Sequence, residues 1–174
     1  MTIALATAML ASPALAMQGV TLVDRFDAIG ADNLGSDYNS GVCRVLSRST
    51  DAEGERLGVE FSRRLRDGNM AVQLFGPFMR NHRDKNPDDN YPMTVRFDGG
   101  ATQPSRSGGY DVGGFRSYAW GGWGAGPTSD AAYAALKDAG SFTVEFDGTT
   151  YGPFEMPEKG ALYSALDDCE IENS

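Results

Sequence analysis

Ser141-Phe-Thr-Val-Glu-Phe-Asp-Gly-Thr-Thr-Tyr-Gly-Pro-Phe-Glu-Met156, continued by Pro157 to Cys169, is the stretch whose reading decides the fold. Phe142, Val144 and Phe146 alternate with Thr143, Glu145 and Asp147, the two-residue period of a strand with one face in a core. Asp147-Gly148 supplies a tight turn, because these residues tolerate the positive φ that a two-residue hairpin loop demands. Tyr151 to Met156 returns as the second strand, and Pro153, lacking an N–H for the ladder, predicts an edge position or a bulge. Pro157 suits the first turn of a helix, and Glu158 favours its positive end. Leu162, Ala165, Leu166 and Cys169 follow at i, i+3, i+4 and i+7, a stripe that lies on a sheet and carries Cys169 inward.

Cys43 is the other cysteine of the chain, on an early β-rich run. In an oxidising compartment the default reading of such a pair is a disulfide. Closing so long a loop stabilises a fold by roughly 4 to 5 kcal/mol in the chain-entropy model. The compartment is suggested by residues 1 to 16, an apolar and small run ending in Ala14-Leu15-Ala16, a small-x-small cleavage pattern. That run lacks the usual basic residues, but it is too short to span a bilayer, which takes about 20 residues. An export signal over 1–16, an arm over 17–40 and one β-rich domain over 41–174 are therefore expected, with a periplasmic or secreted location and no membrane span.

Working back towards the N-terminus, Val20 to Asp24 is a short strand-like run within the arm. Val42 to Arg48 and Leu57 to Arg63 read as a hairpin around the polar turn Ser49 to Gly54, with Leu57, Val59 and Phe61 on one face and Glu60 and Ser62 on the other. Asp67-Gly68 turns into a third strand, Asn69 to Phe75, in which Met70, Val72 and Leu74 alternate with Ala71, Gln73 and Phe75. Residues 78 to 92 form a loop, and Met93 to Phe97 is a fourth strand. Phe115 to Trp120 reads as another strand between glycine pairs that predict bends or bulges. Pro127 opens a helix capped by Thr128 or Ser129, with Ala132, Tyr133, Leu136 and Ala139 at helical spacing and Gly140 as its stop. The sum is a mainly β chain: an antiparallel sandwich or partly open barrel carrying two short helices.

Net charge is −9, which disfavours nucleic acid and anionic lipid as partners. The charge is uneven: Gly41 to Lys85 carries nine basic and six acidic residues, Asp130 to Ser174 two basic and ten acidic. That asymmetry permits a bipolar surface, although ordinary solvated strand faces give the same count.

Catalytic chemistry finds little footing. His82, the only histidine, lies with Asp84 in a polar loop, and no serine has the Gly-x-Ser-x-Gly context of a nucleophile elbow. A His82 and carboxylate site in an envelope hydrolase is the alternative function. Asp84, Asn86 and Asp88 imitate the start of a calcium loop, but Asp89 stands where glycine is needed and Val95 where the bidentate glutamate belongs. Neither metal nor cofactor is expected. The stretch Tyr110, Phe115, Tyr118, Trp120 and Trp123 is the ligand-binding candidate, since glycines admit close approach and the rings offer area with a polar handle for a sugar, peptide or protein. The plain reading is that Tyr118 and Trp120 share a strand face in the core.

With the module and both cysteines placed, the layout from Gly41 to Cys169 resembles the small exported proteins similar to invasion-associated locus B proteins of alphaproteobacteria. The likeness lies in an early strand cysteine, Leu57 to Phe61 and Met70 to Phe75 as successive strands, Leu136 through Phe146, Phe154-Glu-Met156 and the ending Ala161-Leu162 to Cys169. Two cysteines stand where that family often has more, and Tyr110 to Trp123 falls outside the likeness. The resemblance implies an envelope protein with a sandwich-like fold and no catalytic residues to carry over. The function expected is non-enzymatic binding of a protein or glycan of the cell envelope or of a host.

Overall fold

In a computed structural model, the described residues are 18–26, 41–50, 56–76, 91–98, 100–102, 106–111, 118–156 and 158–172. They form, in order, β1 (Gln18–Phe26), β2 (Val42–Thr50), β3 (Arg56–Arg64), β4 (Met70–Phe75), β5 (Met93–Phe97), β6 (Gly100–Thr102), β7 (Arg106–Asp111), β8 (Tyr118–Gly122), α1 (Pro127–Asp138), β9 (Ser141–Phe146), β10 (Thr149–Glu155) and α2 (Ala161–Glu172). The strands make two antiparallel sheets, β1-β2-β3-β4-β8-β7 and β10-β9-β5-β6. The sandwich-like alternative thus holds, and the sheets do not close into a barrel.

Alternation dictates which side chains meet between the sheets. Val45 on β2, Val59 and Phe61 on β3 and Val72 and Leu74 on β4 are fully buried, as are Val95, Val144 and Phe146 from the smaller sheet. Phe61 crosses the gap to meet Phe142 edge-on at 5.3 Å and Phe97 at 6.2 Å, and Phe142 stacks on Phe154 at 4.9 Å. Such pairs each add about 0.5 to 1.5 kcal/mol beyond the area they bury.

The hairpin of β9 and β10 follows its sequence closely. Asp147 at φ 49° and Gly148 at φ 79° occupy the two loop positions while Phe146 pairs with Thr149, the left-handed turn that suits strand twist. Pro153 meets both of its expected conditions: β10 is an edge strand, and its register slips between Tyr151 and Phe154. Gly152 is obligatory beside it, because a Cβ there would lie 3.0 Å from the Phe142 carbonyl oxygen.

Besides β6 and β7, which the sequence does not announce, and β8, which runs on to Gly122, four details depart from the sequence reading. Gln18–Phe26 is a full strand on β2, with bulged register, so the strand-like run of the arm extends the larger sheet. β2 continues to Thr50, past the expected start of the turn. α1 is capped by Gly126 at φ 98° with no side-chain cap; the Thr128 hydroxyl instead donates 2.8 Å to the Trp123 carbonyl, and that of Ser129 to the Gly68 carbonyl. Those hydroxyls find acceptors outside the helix, and Pro127 at its first position already removes one orphan N–H. Finally, α2 begins at Ala161, four residues beyond Pro157, because Gly160 makes the junction: its N–H donates 2.8 Å to the Ala139 carbonyl at the end of α1.

Cys43 and Cys169 are joined, with Cα atoms 5.8 Å apart at a sequence separation of 126. Leu162, Ala165, Leu166 and Cys169 are the buried face of α2, and both cysteines are fully enclosed. Among the described residues, no helix is long and apolar enough to cross a membrane.

Candidate functional site

β8 brings the aromatic stretch into the larger sheet between β4 and β7. Its alternation is clean: Ala119 and Gly121 are buried towards the core, and Trp120 turns to the outer face with 38% of its surface exposed. Trp120 is therefore not a core residue, despite the even spacing that allowed it to be one. Trp123 lies just past the strand, only 1% exposed, among the core side chains. Three residues of sequence thus separate the two indoles, one outside the sheet and one within the sandwich. Trp123 has no surface to give a ligand.

The register supplies the surroundings of Trp120. Gln73 on β4 stands directly across from it, and Glu60 on β3 and Leu46 on β2 continue the same row. In the neighbouring row Phe75, half-buried, lies opposite Gly58, where a Cβ would meet both Leu46 and Phe75 within 3.7 Å. The phenyl ring thereby covers a strand glycine that has no side chain of its own. Glu60 is only 8% exposed although alternation places it on the outer face, and the Arg44 guanidinium approaches it at 3.7 Å. The row therefore runs from an enclosed ion pair near β2 to an open indole on β8, with the Gln73 amide between. Such a surface stacks a flat apolar face on the indole and offers amide hydrogen bonds beside it.

The same register places the other aromatic candidates. Tyr118 pairs with Phe75, in that neighbouring row, and with Asp111; Tyr110 pairs with Ala119 across a ladder whose register slips between Ser107 and Tyr110, at the Gly108-Gly109 pair. Phe115 lies outside the described residues, as do His82, Asp84, Asn86 and Asp88. Among the described residues no cluster of three histidine, cysteine or acidic side chains is placed to hold a metal.

A second constellation, unmarked in the sequence, forms where α1 and α2 meet the larger sheet. Arg63 extends the inward series Leu57, Val59, Phe61 by one more step, so its guanidinium lies under the helices with 14% of the side chain exposed. Its Nε is 2.9 Å from Glu170 Oε1, an ion contact whose N–H points off the line of a hydrogen bond, and one of its terminal nitrogens is 3.3 Å from Asp130. The guanidinium also lies 4.2 Å over the Tyr133 ring. Tyr133 packs on Tyr163 with ring centres 4.8 Å apart, and both hydroxyls donate to Asp167 Oδ1 at 3.5 Å. Burial, reinforced by Glu170 and Asp167, pushes the Tyr133 phenol well above its ordinary range. Burial likewise raises the Glu170 carboxyl, against the opposing pull of Arg63. The signal in the sequence was the alternation itself, carried one residue further than its apolar members.

Comparison of the chain with protein-family models, characterised proteins and solved structures finds no match.

Proposed function

We propose that this chain is an exported, disulfide-stabilised binding protein, periplasmic or secreted, that engages a protein or glycan of the cell envelope or of a host through the outer face around Trp120. One observation carries the reading: Trp120 is a large aromatic left open in the middle of a sheet, beside Gln73, while Trp123 and the core phenylalanines are enclosed. Full burial of a large apolar side chain is worth about 1.5 to 3 kcal/mol. An indole kept half in water forgoes part of that gain, which contact with a partner recovers.

Export is supported by the leader-like residues 1–16 and by a disulfide of the kind that persists in oxidising compartments. The net charge of −9 argues against nucleic acid as the partner. Kinship with the proteins similar to invasion-associated locus B proteins belongs to the same proposal and rests on the layout of strands, cysteine and final helix.

The test is capture from envelope extract by the mature protein, comparing wild type with Trp120→Ala and with Gln73→Ala. Circular dichroism of each variant establishes that the fold is kept. Loss of the captured partner in Trp120→Ala is expected. Capture that survives both substitutions rules out this face as the binding surface.

A further inference from the structure

We infer that Tyr133 and Tyr163 form a modification site, at which a peroxidase using hydrogen peroxide joins the two rings into a dityrosine that ties α1 to α2. The rings face each other across the helix interface with centres 4.8 Å apart and planes inclined by 37°. Both hydroxyls reach the same oxygen, Asp167 Oδ1, at 3.5 Å, so the two phenol groups lie on the same side of the pair. Arg63 lies over Tyr133 and the Lys137 ammonium sits 5.6 Å from the centre of Tyr163, which limits the tumbling of either ring. Both tyrosines are half-buried, held in place yet within reach of an oxidant at the surface.

The chemistry follows from that arrangement. Removing one electron from a phenol makes its proton strongly acidic, and a carboxylate within hydrogen-bond reach accepts it. Asp167 is placed to do so for either ring, passing each proton on to water. Two phenoxyl radicals then couple through their ortho carbons, and the two displaced ring hydrogens leave as protons while the phenols are restored. The net change is one C–C bond formed for two C–H bonds lost, with two electrons and two protons taken up as one peroxide becomes two waters. Because the partners are held together on one molecule, coupling within the chain outruns coupling between chains.

The intact disulfide-bonded protein, at low concentration, is treated with a peroxidase and hydrogen peroxide, and the product is read by dityrosine fluorescence and by mass spectrometry of cross-linked peptides. A monomer lighter by two hydrogens, with Tyr133 and Tyr163 in the linked peptides, is expected, although the chain has seven tyrosines. Tyr163→Phe and, separately, Tyr133→Phe should lower the yield by at least about tenfold, and Asp167→Asn should slow the reaction several-fold with the same linkage. Cross-links confined to other tyrosines or to dimers, or a phenylalanine variant that reacts as fast as wild type, overturn the site. An unchanged rate in Asp167→Asn overturns the part given to that carboxylate.

Discussion

Trp120 and Trp123 show how much the face of a strand decides for a single residue. Replacing Trp123 by alanine empties an enclosed position in the core, and such truncations cost about 3 to 5 kcal/mol. Replacing Trp120 removes a side chain that is 38% exposed and leaves no enclosed cavity, so the cost should be clearly smaller. Urea unfolding of the two variants should therefore separate them widely. Charge gives a second contrast. Glu170 is held above the ordinary glutamate value by burial, so the folded state keeps its proton to higher pH than the unfolded state does. Its contribution to stability is consequently present below pH 4.5 and is lost as pH rises through the raised folded value. Asp67 behaves oppositely: two hydrogen bonds from Arg64, at 2.7 and 2.8 Å, hold its carboxyl below 3.8. Its contribution is present above 3.8 and fades as pH falls through the lowered value. Subtracting the stability profile of Glu170→Gln from that of wild type should leave a difference that declines with rising pH. The same subtraction for Asp67→Asn should leave one that rises.

At the scale of elements, the junction between the two helices is the most constrained point. Gly160 has φ +76°, and a Cβ there would stand 2.6 Å from the Lys137 carbonyl oxygen, backbone that cannot swing aside. Gly148 has a similar φ of +79° but open space around it. Placing a side chain in the left-handed region costs about 1 to 2 kcal/mol by itself. Gly148→Ala should lose about that much in thermal unfolding, and Gly160→Ala clearly more, because it adds a clash to the torsional cost. The hairpin, the β2–β3 pair and the buried stripe of α2 were all legible, since each rests on a short-range period or a turn residue. The start of α2 was not, because Pro157 is acceptable at a first turn while the true constraint at Gly160 is a backbone approach from α1. The Thr128 and Ser129 hydroxyls misled for a related reason: their acceptors, the carbonyls of Trp123 and Gly68, come from outside the helix, and Gly68 is far off in sequence.

Across the whole molecule, the partition of strands between sheets was beyond the sequence. β8 joins β4 although two strands of the other sheet, β5 and β6, lie between them in the chain, and β6 and β7 are too short or too glycine-rich to announce themselves. The uneven charge, by contrast, finds a physical meaning: the basic and acidic halves of the sequence meet at Arg63, which binds Asp130 and Glu170. The exposed Trp120 required the full register to be told apart from Trp123. The disulfide holds this assembly from its two far ends. In the chain-entropy model a closed loop of 126 residues is worth about 5 kcal/mol, so a Cys43→Ser, Cys169→Ser variant should lose a comparable amount, less any relaxation, in urea unfolding. With both cysteines fully enclosed, a thiol reductant reaches the bond only when α2 lifts from the sheet. Reduction in native buffer, followed by alkylation and mass spectrometry, should level off with increasing reductant and accelerate in urea.

The same bond imposes an order on biogenesis. Cys43 leaves the ribosome first, and its partner follows 126 residues later, on α2. Throughout that interval its thiol has no other cysteine of its own chain to react with, since the chain holds only two. Mispairing can arise only between molecules, as covalent dimers. Correct oxidation thus waits on the docking of α2 against the sheet.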